Sequence, residues 1–400
     1  MASLGQTEFA AMLKVLYPDK EPENVATRKY PLLSMISKDD DFEGESLPVP
    51  VFYEFPNGRS ATFLKAQTNA KASKSVKFSL KQKTDFGNLT IDALTIRASR
   101  SNRGAFVKAR KAEVDMMLTN LGRSAAIALY GTGSGSIGKV KSISVKTITL
   151  VDAADVYNFG VGMLIVHSTA DGGGAVKTLV LTVASRVPTA GTVTFTANAD
   201  GGGGNDPAVS DFMFVEGDYD LKVVGLSGWV PLTSPSATLF FGVDRSVDPT
   251  RLGGQRLDAS ANPIEENILT VAEDVVMEGG MPRWAPLHAK KFAELTKGLG
   301  SKVEYQGAGG NVASGFRGVD VHCSGGVITV FSDPACKINR GWVLTPESLM
   351  LHHLDGFPHL DTIDGLEGLR NSGSDGIEVR ARYWAELGCN APGWNGTYSI

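Results

Sequence analysis

The sequence predicts an α+β protein of several domains, with a small all-β unit set into the middle of the chain. Three observations carry this expectation. Glycine supplies 46 of the 400 residues, well above the roughly 7% of average usage, which favours many turns and strand ends over a helical bundle. Helical periodicity is concentrated at 101–130 and 262–300. Residues 138–230 instead carry short β-rich runs separated by glycine turns, the pattern of a small barrel or sandwich.

The length fits two or three domains at ~100–200 residues each. Apolar residues make up 42% and charged residues 20% of the chain, enough for sizeable cores and too apolar for disorder. The net charge is −4, which excludes a chain-wide basic nucleic-acid binder. Cys323, Cys336 and Cys389 are too scattered for a disulfide framework and fit a reducing cytosol. The opening MASLGQTEFAAMLK lacks a signal peptide's basic and apolar regions. No run approaches the ~18 apolar residues of a membrane helix. Secreted, membrane, fibrous and disordered classes are set aside on these grounds.

Taken in order, residues 1–45 hold too few apolar positions for a core of their own. Thr7–Tyr17 fits one short amphipathic helix through Phe9, Met12, Leu13 and Leu16. An acidic cluster follows at Asp39, Asp40, Asp41, Glu43 and Glu45. It is either a solvated patch on a tail or part of an arm that packs on a neighbouring subunit. Residues 46–92 predict a long hairpin, with strands at Leu47–Phe55 and Ser75–Gln82. From Phe55 to Thr84 there is no acidic residue, while Arg59, Lys65, Lys71, Lys74, Lys77, Lys81 and Lys83 are all cationic. So long a polar excursion is either solvated and mobile or functional. Only Phe63 and Phe78 are interleaved with these charges, too few for base stacking. An acidic protein partner explains the charge best.

Residues 101–130 predict the longest helix, capped by Ser101 or Asn102 and ended at Gly131. Val114, Met117, Leu118, Leu121, Ala125 and Ala128 trace its buried face. Gly122 argues against an unbroken helix. Within 138–230, strands are expected at Thr147–Val151, Met163–His167, Thr178–Val183, Thr192–Thr196, Phe212–Val215 and Leu221–Val224. Asn262-Pro263-Ile264-Glu265 reads as a helix start, with Asn262 as cap and Pro263 in the first turn. A second helix is expected at His288–Lys297, stopped by Gly298. Strands follow at Val319–Cys323, Val327–Phe331, Trp342–Leu344 and Gly376–Gly388.

Chemical signatures are weak. GTGSGSIGKV at 131–140 matches glycine-rich phosphate loops in spacing. Those loops need a strand before the glycines and a helix after them. Here a helix precedes and a β region follows, and Val140 stands where a magnesium-binding hydroxyl belongs. The stretch therefore reads as a flexible domain linker. His352, His353 and His359 with Asp355 and Asp361 offer imidazole and carboxylate donors, but Pro358 breaks the segment, and adjacent His352 and His353 point to opposite faces of a strand. Cys323 alternates with Val319 and Val321 and faces a core. No catalytic residue, cofactor or metal site is expected.

The segments ITVFSDPACKINRGWVLTPESLMLHHLDG at 328–356 and GIEVRARYWAELGCNAPGWNGTY at 376–398 carry a resemblance. So does Glu216-Gly217-Asp218-Tyr219 followed by Gly225-Leu226-Ser227-Gly228-Trp229. With the order of arm, basic hairpin, long helix and late strands, the chain resembles the major capsid protein of tailed bacteriophages. That resemblance implies an N-terminal arm at 1–45, an extended loop at 46–92, and a spine helix with the start of a peripheral domain at 93–137. It implies an axial domain at 231–345 and a return to the peripheral domain at 346–400. The β-domain at 138–230 would be an insertion into this fold.

The implied function is structural: self-assembly through hexamers and pentamers into an icosahedral shell around phage double-stranded DNA, in the host bacterial cytoplasm. Scaffolding, portal and decoration proteins would be separate partners. DNA would be touched non-specifically on the shell interior, and no membrane is involved. Subunit contacts are expected from the seven hairpin cations, from Asp39, Asp40 and Asp41, and from the late acids Asp361, Asp364 and Glu367, whose sign complements the hairpin. An encapsulin-like compartment of the same fold is the nearest rival. A metal-dependent hydrolase using His352–His359 is the rival of a different class.

Overall fold

The computed structural model describes residues 21–42, 44–92, 103–200, 202–299, 318–361, 369–370 and 376–400. The described chain opens with α1 (Glu21–Thr27), α2 (Pro31–Met35) and β1 (Ser37–Asp39). β2 (Ser46–Glu54) and β3 (Lys74–Lys81) flank the short α3 (Phe63–Thr68), and β4 (Lys83–Asp92) precedes the long α4 (Arg103–Tyr130). The next strands are β5 (Ser136–Ser144), β6 (Thr147–Leu150), β7 (Leu164–Ser168), β8 (Leu181–Val187), β9 (Thr192–Phe195) and β10 (Phe212–Val215). Then come the single turn α5 (Leu226–Trp229), β11 (Gln255–Leu257), α6 (Ile264–Met277), β12 (Trp284–Leu287) and α7 (Ala289–Leu299). The final elements are β13 (Gly318–Cys323), β14 (Gly326–Ser332), β15 (Arg340–Val343), β16 (Leu349–Leu360), β17 (Leu369–Arg370), β18 (Gly376–Cys389) and β19 (Gly396–Ser399).

A five-stranded sheet carries the long helix. It runs β1-β16-β18-β17, and β4 also pairs with β18. The α4 residues Val114, Leu118 and Leu121 recur at helical spacing and pack on Leu360, Ile377, Val379 and Ala381 of the sheet. Towards its C-terminus, Ala125, Ala126, Leu129 and Tyr130 enter the main core with Trp229, Trp342 and Tyr383. At 1.5 Å per residue the helix spans about 42 Å. Gly122 does not break it. A Cβ at 122 would overlap the backbone of Ala26, so this glycine is where α1 crosses against α4.

β5 to β10 close a barrel in the order β10-β5-β6-β9-β8-β7. Alternation along these strands buries Val140, Ile148, Ile165, Val183, Val193 and Met213 in a core of their own. A third unit pairs β11-β19-β15 and β12-β14-β13 in two small sheets. These pack around Ile268, Val271 and Val275 of α6.

Several expectations are corrected by this architecture. Much of the segment expected as an arm is built into the subunit. Tyr30, Leu32, Leu33, Ile36 and Phe42 are buried in the main core, and β1 pairs in parallel with β16. Its apolar residues are too few for a separate core but complete one made by distant segments. The Thr7–Tyr17 helix, Glu43 and the caps Ser101 and Asn102 lie outside the described residues. The hairpin closes at Lys81, because β4 pairs with β18 rather than with β3.

The stretch 131–140 is not a flexible linker. Barrel strand β5 begins at Ser136, and Ser134 Oγ donates to Asp171 Oδ1 at 2.5 Å. Leu221–Val224 forms no strand, and Val223, Leu226, Trp229 and Val230 belong to the main core. The barrel therefore ends near Val215, not at 230. The division at 345/346 also fails at its far end: β19 returns between β11 and β15. Asn262 does not cap α6, whose first residue is Ile264. Gly298 does not stop α7, which continues to Leu299.

Candidate assembly interface

The hairpin is anchored at its base and bare at its tip. Along β2 and β3, alternate residues Val49, Val51, Phe78 and Leu80 turn inward and are buried. Phe78 meets the ring of Trp229 edge-on at 5.1 Å between centroids. Such an aromatic pair contributes ~0.5–1.5 kcal/mol beyond its area. Arg251 locks the base by donating from Nη1 to the Tyr53 carbonyl at 2.7 Å and from Nε to Glu278 at 2.9 Å. Beyond the base, the tip bonds within itself: the Asn57 amide donates to the Lys71 carbonyl at 3.2 Å, and Thr68 Oγ1 donates to the Leu64 carbonyl at 2.8 Å.

The predicted cations divide by surroundings. Arg59, Lys65, Lys71, Lys77 and Lys81 are exposed. Lys74 is ion-paired with Glu54 beside the tip. Lys83 is not on the hairpin, and its ammonium donates to the Asp220 carbonyl at 2.7 Å. Sequence reasoning weighed Phe63 only as a base-stacking residue and missed the other apolar side chains that accompany the charges. Phe52, Phe55, Phe63 and Leu64 all stand in solvent. Their signal was available, since Phe52 falls on the outward face of the predicted strand, and Phe55, Phe63 and Leu64 follow in a stretch too polar to build a core around them.

The predicted acids are not one patch. Asp39 lies in β1, and Asp40 is exposed. Asp41 Oδ1 lies 2.7 Å from His352 Nδ1. Asp361 is 8% exposed and takes a 2.8 Å bond from Arg382 Nη2. It is paired within the subunit. Asp364 and Glu367 lie outside the described residues. The histidines are equally dispersed: His352 pairs with Asp41, while His359 lies against the Trp384 ring at 5.5 Å. Burial lowers the pKa of His353 and of His359. Among the described residues, no cluster of three or more His, Cys, Asp or Glu side chains could hold a metal ion. No described helix is long and apolar enough to cross a membrane.

A groove of about 710 Å³ lies between β4, α4 and the barrel. Phe86, Met116 and Met163 give it apolar walls, and Glu113, Glu216 and Asp218 give it carboxylates. At one end, buried Lys222 bonds to Asp85 at 2.6 Å and to Asp218 at 3.1 Å. Lys222 also donates to Ser124 Oγ at 3.0 Å. This network ties the chain leaving the barrel to the sheet and to α4.

No protein-family model matches the chain, and no curated protein matches it in sequence. Solved structures do match in fold. A chain of the cyanophage A-1(L) capsid asymmetric unit is 9% identical, with a TM-score of 0.51, covering 92% of this chain and 91% of that one. A capsid chain of a native GTA particle is 8% identical, covering 94% and 90%, with a TM-score of 0.45. A virus-like particle from Pyrococcus furiosus is 8% identical, covering 94% and 95%, with a TM-score of 0.40. Of these three, the cyanophage likeness establishes the fold. The chain has the α/β fold of a phage capsid subunit along nearly its whole described length.

Proposed function

We propose that the chain is the major capsid subunit of a tailed bacteriophage, a structural protein rather than an enzyme. It assembles through hexamers and pentamers into a closed shell around double-stranded DNA. The barrel is then an insertion between the spine helix and the axial unit. Scaffolding, portal and decoration proteins are expected partners, and assembly belongs in the bacterial cytoplasm. Beside the fold, one observation carries this reading: the hairpin tip presents exposed Phe63 and Leu64 among Arg59, Lys65 and Lys71, and its own subunit leaves them uncovered. Apolar groups of this kind in solvent mark a contact surface.

The test reverses the tip's charge. Lys74 is spared because it pairs with Glu54. Arg59→Glu, Lys65→Glu and Lys71→Glu together leave the subunit folded, since isolated surface charges contribute only ~0–1 kcal/mol to folding. The same change recurs at every contact of a symmetric shell and blocks assembly. Circular dichroism reads the fold; sedimentation and electron microscopy read the shells. Normal shells from the triple variant would refute the hairpin's role. DNA inside purified wild-type particles separates this reading from a cargo compartment.

A further inference from the structure

We infer that the seam between the barrel and the unit of two small sheets is a pH-sensitive catch, closed in mild acid and loosened above neutral pH, with the barrel pivoting on the chain that carries it. The inference stands on contacts within one chain and does not depend on the capsid reading. Two observations define the catch. First, the barrel is gripped where the chain enters and leaves it. The Gly173 amide donates to Asp220 Oδ2 at 2.8 Å, and the Gly174 amide donates to the Tyr219 hydroxyl at 2.8 Å, beside the bond from Ser134 to Asp171. Second, the contact with the small sheets is polar and loosely packed. A cavity of about 590 Å³ lies between the barrel turn Ala153–Asn158 and the loop at 333–339. The apolar cores of the barrel and of the small sheets are separate clusters. Among the described residues, the one hydrogen bond across the seam runs from Asn339 Nδ2 to Asp152 Oδ2, at a long 3.4 Å.

Asp155 stands on the barrel side of this cavity. Around it are Asp152 of the same turn, Lys139 of β5 and Asp171 after β7; across from it are Lys337 and Arg340, with His288 just before α7. The Lys337 ammonium acts on all three aspartates across the cavity. Burial, reinforced by repulsion from Asp152 and partly offset by Lys337, raises Asp155 to about 7. Burial raises Asp152 in the same direction. An open seam returns Asp155 to water, where an ordinary aspartate titrates near ~3.9. The closed seam therefore holds this proton more tightly. Closure owed to Asp155 is fully present below pH ~4, is lost as pH rises to about 7, and is level above that. The other groups are separable. Burial, with Lys290 and Lys291, keeps His288 below the ordinary histidine range, so it is mainly neutral above pH 6.5. Arg340, lowered to about 10, stays charged up to pH 8.5. Burial lowers Lys337, which acts in the opposite sense and favours closure as pH rises.

The experiment is hydrogen exchange read by mass spectrometry on the full chain, in whatever assembly it adopts, at pH 6.5 and 8.5 and corrected for intrinsic exchange. Peptides covering 151–158 and 334–340 report the seam, and those covering β6 and β9 report the barrel itself. In the parent chain, seam protection is expected to fall about fourfold at the higher pH while β6 and β9 keep theirs. Asp155→Asn removes the ionisation and should hold the seam equally closed at both values. Lys337→Met removes both the attraction and the opposing titration, so its pH slope should be steeper than the parent's. Equal seam protection at the two pH values in the parent overturns the inference, as does a loss that Asp155→Asn shares. A loss that spreads to β6 and β9 means that the barrel unfolds rather than pivots, and overturns it too. If Asp155→Asn does not fold, Lys337→Met decides: a slope no steeper than the parent's overturns the inference. None of these results bears on whether the chain forms shells.

Discussion

Glu386 is fully buried in β18, where its Oε1 accepts from the Val224 amide at 2.7 Å and from the Leu387 amide at 3.1 Å. Burial outweighs those two bonds and pushes its carboxyl up to about 8. The folded state therefore holds this proton more tightly than the unfolded state, where an ordinary glutamate titrates near ~4.3. Stability from this group is greatest at acid pH, falls as pH rises from about 5 to 8, and is level above that. Glu386→Gln keeps an oxygen for both amides and removes the ionisation. Urea unfolding at pH 5.5 and 8.5 should show a shallower pH slope for the variant, which at the higher pH is more stable by about 2–4 kcal/mol. Equal slopes would mean that the carboxyl is ionised in the native state. Residue by residue, the sequence showed which side chains are charged but not whom they meet. Asp361 looked available for a neighbour, yet Arg382, 21 positions away, has taken it. Asp41 and His352 lie 311 positions apart and still touch. Local periodicity carries no information at such separations.

At the scale of elements, the long helix and both strands of the hairpin were legible to within a few residues, because their periods are sustained. Gly122 was misread for a physical reason. Propensity alone disfavours glycine in a helix by ~1 kcal/mol against alanine, but here the missing Cβ admits α1. Gly122→Ala therefore gains in propensity and loses more at the crossing, where the new methyl meets the Ala26 backbone. A net loss of about 1–3 kcal/mol is expected, read as a lower urea midpoint. Increased hydrogen exchange should be confined to residues 21–27 and their contacts on α4. A variant at least as stable as the parent would show that α1 can move aside without cost.

For the molecule as a whole, the separate core of the barrel makes a strong prediction about boundaries. β5 and β10 are neighbours, with Ser136 opposite Phe214, so the chain enters and leaves the barrel side by side. Removing 136–215 and joining Gly135 to Glu216 through a short Gly/Ser linker should leave the rest folded. Removing 138–230 should not, because it takes out Trp229, whose Nε1 donates to the Leu387 carbonyl at 2.9 Å inside the main core. Calorimetry of both deletions checks this: a cooperative transition is expected from the first and none from the second. The barrel was legible as a run of short strands between glycine turns. Its far border was not, since the strand-like Leu221–Val224 has the composition of the strands before it. Only its partners reveal that Val223 and the residues just after it belong to another core.

The Leu32 amide donates to Asp333 at 3.1 Å across 301 positions, and Tyr130 joins the same carboxylate at 3.0 Å. β1 likewise waits for β16. During synthesis at ~5–20 residues per second, Leu32 emerges roughly 15–60 s before the residue that binds it. Through that interval Leu32, Leu33 and Phe42 are apolar and unhoused, a natural target for a holding chaperone. The delay also acts as a clock. A nascent chain therefore has no finished sheet until its last strands are made.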